Sequence, residues 1–187
     1  MNGVAIGAGV LLFLVALALL FDFMNGFHDA ANSIATVVST GALKPHQAVA
    51  WAAFFNVLAF AVFELEVATT VAKGLVDPTA VDHHVIFGAL VGAMAWNLAT
   101  WRLGIPSSSS HALIGGLIGA TVAGGGAGAL IGSGILTVVA FVVLAPLIGL
   151  LVGITLMTAV SWIFVSGSPR RVESWFRRLQ LLSSALY

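Results

Sequence analysis

The stretch FDFMNGFHDAANSIATVVSTG, Phe21 to Gly41, follows an uncharged apolar run from Val4 to Leu20. It places Asp22, Asn25, His28, Asp29 and Asn32 directly behind a segment of membrane length. Read as a helix from Gly26 onward, Asn25, Asp29, Asn32, Thr36 and Thr40 recur at spacings of three and four residues. They therefore share one face, while Ala31, Ile34, Ala35 and Val38 cover the others. An ionisable side chain in the hydrocarbon zone costs at least about 2.5 kcal/mol and by default marks a pathway or a coupling site. At that depth Asp22 and Asp29 either bind a cation or exchange a proton. The plainer alternative is that these residues lie at the membrane surface and only cap a helix. A polar face continuing for about four turns argues against it.

Composition supports the membrane setting. Hydrophobic residues make up 60% of the chain and charged residues 7%, with a mean hydropathy of +1.10. An ordinary soluble domain carries about 25% charged residues. The first twenty residues hold no Lys or Arg, so they lack the basic start of a secretory signal and are expected to stay in the mature protein. With no cysteine, no disulfide framework or thiolate metal site is possible. A net charge of zero gives no footprint for nucleic acid.

Apolar blocks run from Val4 to Leu20, Ala30 to Val38, Ala48 to Ala72, Val85 to Trp101, Ala112 to Ala123 and Leu130 to Val165, and a helical span needs about 20 residues. The second and fifth are too short alone, and each adjoins a polar, kinkable stretch. The reading is one long helix from Val4 to Thr40, broken near Asp22 to Gly26, and a second irregular element from Ile105 to Ala123. Non-helical backbone at membrane depth is tolerated only where protein buries it or water lines it, so both breaks point to a cavity. With the N-terminus outside and five crossings, Lys44, Arg102, Arg170, Arg171, Arg177 and Arg178 fall inside, as basic residues prefer. Lys73 alone falls outside, beside Asp77 and Asp82. The last block, with Pro146, permits one long helix or two short spans. An odd number of crossings is what one half of an inverted-repeat transporter has, with the substrate site at the repeat interface. The expected fold is thus all-α and multi-pass, with about five transmembrane helices and broken or re-entrant elements in residues 1–165, and with 166–187 as a basic cytoplasmic linker and the start of a further helix.

The second polar constellation is GIPSSSSHALIGGLIG, Gly104 to Gly119. Proline is favoured in the first helical turn and serines cap it. Free N–H groups and the positive dipole end at such a start form an anion site. Ser107, Ser108, Ser109 and Ser110 add hydroxyl donors without a fixed charge, a cradle suited to a tetrahedral oxyanion. Serines bonding back to the preceding turn are the alternative. Gly115, Gly116 and Gly119 serve close helix packing. Elsewhere, Glu64 and Glu66 fit a solvated role as well as an ion path, and His83 and His84 lack a third metal ligand. Asn56 and Asn97 are either ligands or interhelical hydrogen-bond partners. Arg102 snorkels to the headgroups, and Pro169 to Arg178 is a lipid-facing basic segment.

NGFHDAAN at Asn25 to Asn32 with the following IATVVSTGAL, the intervening WNLATWRLG and GIPSSSSHALIGG at Gly104 to Gly116 resemble the signatures of PiT-type inorganic phosphate transporters. The resemblance implies a phosphate symporter of the cytoplasmic membrane built from two inverted halves. Asp29 and Asn32 match the signature aspartate and asparagine, and Ser108, Ser110 and His111 match the second motif. Ser107 and Ser109 fall at more variable positions and can still donate to phosphate. Many sodium-coupled members read Gly-Ala-Asn-Asp where this chain has Gly26-Phe27-His28-Asp29, and some carry a glutamate at the place of Asn56. Those departures resemble proton-linked bacterial members. The implied coupling set is Asp22, His28, Asp29 and His111. No cofactor is implied; the coupling ion is a proton or sodium, and phosphate travels free or as a metal complex. The chain resembles an N-terminal half that pairs with a second inverted half or a second copy of itself. A sulfate carrier, a serine hydrolase using His111 and a non-transporting structural subunit are the rival readings. The hydrolase lacks a GxSxG elbow.

Overall fold

A computed structural model describes residues 7–62 and 74–186. Six helices account for most of them: α1 (Ala8–Ser39), α2 (Pro45–Val62), α3 (His83–Leu103), α4 (Ser109–Gly125), α5 (Gly132–Phe164) and α6 (Pro169–Leu186). Short 3₁₀ turns occupy Pro78–Ala80 and Ala127–Ala129. No strand forms among the described residues beyond a single bridge between Val76 and Leu130. Among the described residues three helices are long and apolar enough to cross a membrane, namely α1, α3 and α5. The protein is an all-α membrane protein. Glu64, Glu66 and Lys73 lie outside the described residues.

The break expected near Asp22 to Gly26 is absent: α1 is one helix of 32 residues. The sequence explains why. No proline interrupts Ala8–Ser39, no β-branched residue falls between Phe21 and Asn32, and one helical glycine costs only about 1 kcal/mol against alanine. The irregular backbone expected at the second motif is present but short. It covers residues 104–108, after which Ser109 and Ser110 are already helical. The last block resolves as the single helix α5, with Pro146 inside it. Residues 166–187, expected as a linker leading into a further helix, contain α6.

The described residues form two compact units, one of residues 7–29 and 74–133, the other of 30–62 and 134–186. In the first, Phe21, Leu90 and Ala93 make a buried cluster against which Leu17, Ala18, Met94, Ala112 and Leu113 pack. Helices α3 and α4 meet along a seam of small residues. A Cβ on Gly116 would collide with the carbonyl oxygen of Ala89, and one on Gly88 would stand 3.1 Å from Ala120. Backbones therefore touch with no side chain between them, the arrangement small residues permit between membrane helices. Gly115 and Gly119 face open space, so Gly116 alone of the three carries the packing role.

The caps of α3 fix where the second motif begins. The Asp82 carboxylate accepts from the N–H groups of His84 and Val85, satisfying two otherwise unpaired donors of the first turn. Gly104 closes the helix in the left-handed region, φ 66°, donating to Thr100 and Trp101, a conformation that glycine adopts without a Cβ penalty. The Ile105 N–H then donates to the Thr100 carbonyl at 2.9 Å, turning the chain into Pro106.

In the second unit, the Trp51 indole N–H of α2 donates to the Leu181 carbonyl of α6 at 3.3 Å. The Thr40 hydroxyl stands 2.9 Å from Gln180 Oε1 and 2.8 Å from the Thr36 carbonyl, and its one proton serves one of the two. Phe164 and Phe176 meet edge to face across the corner between α5 and α6. Gly167 in that corner has no room for a Cβ, which would stand 2.9 Å from Val172. No residue of α5 is buried.

Candidate functional site

Ser108 is the N-cap of α4: its backbone is extended and its hydroxyl accepts from the His111 N–H. The cap leaves the N–H groups of Ser109 and Ser110 outside the helical ladder. The next residue, Ser109, is 1% exposed and turns toward α1. Its hydroxyl lies within bonding reach of Asn25 Oδ1 and donates to Asp29 Oδ2 at 2.9 Å. A hydroxyl carries one proton, so it cannot serve both acceptors at once. The Nδ1 of His28 stands 3.6 Å from Asp29 Oδ1, with the imidazole largely buried and the carboxylate 40% exposed. Asn25, His28, Asp29 and Ser109 thus form one contiguous polar group.

The other predicted residues fall elsewhere. Ser107 accepts from the Trp96 indole N–H at 3.0 Å. Ser107, Ser108 and His111 line a groove of about 450 Å³ along with Trp96. The serine run therefore divides, with Ser109 toward α1 and Ser107 and Ser108 toward the groove. Ser110 and Asn32 are exposed, as is Asp22, two turns before Asp29 on α1. Among the described residues no group of three metal-ligating side chains occurs.

Sequence reasoning placed Asn25 on the polar face of α1, four residues before Asp29, but gave it no role in the site. Trp96 gave no signal, since its bond to Ser107 depends on the chain reversal at Gly104. Asn97, expected as a ligand or an interhelical partner, is 2% exposed, and neither end of its amide finds a hydrogen bond among the described residues. It borders a cavity of about 170 Å³ shared with His28 and the rings of Phe23, Phe27 and Trp101.

Comparison with known proteins decides the family. Residues 25–185 match the description of the Phosphate transporter family. The chain belongs to that family. A probable low-affinity inorganic phosphate transporter of Rhizobium meliloti (strain 1021) is 53% identical over 174 residues, covering 93% of this chain and 52% of the relative. The protein of the same description in Bacillus subtilis (strain 168) is 45% identical, covering 92% of this chain and 52% of its own length. The chain thus spans about half the length of these phosphate transporter relatives. Among solved structures, one described as the sodium-dependent phosphate transporter superposes with a TM-score of 0.75 at 28% identity, over 82% of this chain and 40% of that one. Asn25, Asp29 and the serine run all lie inside the region matched to the family.

Proposed function

We propose that this chain is the N-terminal half of a proton-linked inorganic phosphate symporter of the cytoplasmic membrane, completed by a second inverted half or a second copy. The observation that carries the reading is the buried Ser109 hydroxyl held between Asp29 and Asn25 at the start of α4. An ionised Asp29 accepts a hydrogen bond from the Ser109 hydroxyl. Once a coupling proton binds Asp29, the carboxyl becomes a donor and the Ser109 hydroxyl is released to an incoming phosphate oxygen. Proton and phosphate then favour the same arrangement, which symport requires. His28 is placed to relay the proton. The N–H groups of Ser109 and Ser110 at the start of α4 supply further donors to phosphate. Asp22 and His111 complete the set of candidate proton carriers.

The likeness to a structure described as sodium-dependent favours a second reading in which Asp29 and Asn25 hold sodium. Radiolabelled phosphate uptake into proteoliposomes, with the chain joined to a matching second half, separates the two. Uptake driven by an imposed pH gradient and abolished by Asp29→Asn supports proton coupling. Uptake driven by sodium alone replaces it, and uptake undiminished in Asp29→Asn removes that residue from the mechanism.

A further inference from the structure

We propose that α6 is an in-plane membrane-surface helix whose arginine-lined cavity binds the phosphodiester headgroup of an anionic phospholipid. A cavity of about 470 Å³ is formed by Arg170, Glu173, Ser174, Arg177, Arg178 and Leu181 of α6 together with Ala42 from the turn after α1. Positions 170, 174, 177, 178 and 181 repeat at helical spacing and so converge on one face. Glu173 stands 3.4 Å from Arg177 and offsets one of the three guanidinium groups there. Arg170 and Arg178 are left without a carboxylate partner among the described residues. Two such forks suit a phosphodiester, whose oxygens accept bidentate N–H donors.

A neighbouring stripe of the same helix chooses the source of that phosphoryl group. Trp175, Leu179 and Leu182 are exposed at spacings of four and three, edged by Arg171 and Arg178. Indole rings and aliphatic side chains flanked by arginine are at home at the boundary of headgroups and acyl chains. With four arginines and a glutamate in 18 residues, α6 is too charged to cross the bilayer. It follows the membrane-length α5 through the tight corner at Gly167, which delivers it to the surface where α5 ends. Free phosphate would satisfy the arginines but leave the apolar stripe in water. A lipid satisfies both.

The test uses the full chain in neutral detergent, titrated with phosphatidylglycerol or phosphatidylcholine, with bound lipid counted by native mass spectrometry. Phosphatidylglycerol is expected to bind in preference, with an affinity that falls as salt rises. Arg170→Gln with Arg178→Gln should weaken it about thirtyfold, from roughly tenfold or less for each arginine. Binding that ignores headgroup charge or salt, or persists in the double variant, overturns the proposal. Displacement by millimolar inorganic phosphate also overturns it, assigning the cavity to the free anion. The salt titration needs no substitution, so a variant that misfolds does not protect the idea.

Discussion

Helices α3 and α5 are both long and apolar enough to span a bilayer, yet they meet their surroundings in opposite ways. Along α3, Val85, Ala89, Leu90, Ala93, Asn97 and Thr100 are buried, and the Ala89 backbone touches that of α4 at Gly116. Along α5, with 33 residues, none is buried. Their mean hydropathies also differ, 1.2 for α3 and 2.9 for α5. Both carry small residues at helical spacing, Gly88, Ala89 and Gly92 on α3 and Gly149 and Gly153 on α5, but among the described residues only those of α3 are met by another helix. The surface of α5, rich in Leu, Val and Ile, suits lipid or a further segment of protein.

The comparison predicts a graded set of responses. The largest is at the seam. Gly116→Leu forces a side chain into the Ala89 carbonyl and should cost about 3 kcal/mol or more, read as loss of monodisperse protein on size exclusion. A well-folded variant would mean that α3 and α4 separate easily. Next is Ser109→Ala, which removes a hydrogen bond to a carboxylate and should lower stability by about 1.5–3 kcal/mol, measured by thermal unfolding in detergent. An unchanged melting point would show that the bond to Asp29 contributes little to the packing of α4 on α1.

A smaller effect is expected from pH at the entrance to α3. Bonds from the Thr79 hydroxyl and N–H hold the Asp77 carboxyl below its ordinary range. Backbone donors of Val85 and His84, with the imidazoles of His83 and His84, do the same for Asp82. A folded-state value below the unfolded one gives stability that is fully present above roughly pH 4 and is lost as pH falls through the lowered values. Thermal unfolding between pH 6 and pH 3 should therefore lose less in Asp82→Asn than in the parent chain. An equal loss would place the acid sensitivity elsewhere. The smallest effect is on α5: Leu151→Ala should change stability by within about 0.5 kcal/mol. A larger loss would mean that α5 packs against protein.

Much of this was legible in the sequence, for reasons that also set the limit. The polar face of α1, the serine cap of α4 and the packing role of Gly116 follow from local spacing and from what a helix terminus needs. The continuity of α1 did not, because clustered polar residues look like a break until a partner is seen to satisfy them, and here Ser109 supplies it. Asp29 could be singled out as a candidate from its place on the polar face of α1. That Ser109, rather than Ser108 or Ser110, would meet it depends on the rotation of α4 about its axis, which the contact at Gly116 sets. Trp96 and Ser107 come together only through the left-handed turn at Gly104.

The seam between α3 and α4 has a consequence for measuring motion. Two backbones in contact have no rotamers to exchange, and a slide of one turn along the same face would bring the Cβ of Ala112 or Ala120 against Ala89. The pair is locked in register like the two halves of a closed zip. Spin labels placed on the exposed sides of α3 and α4 should therefore report one separation under every condition in which the protein stays folded. That makes the hairpin an internal fiducial, a fixed ruler against which displacements of other helices can be read.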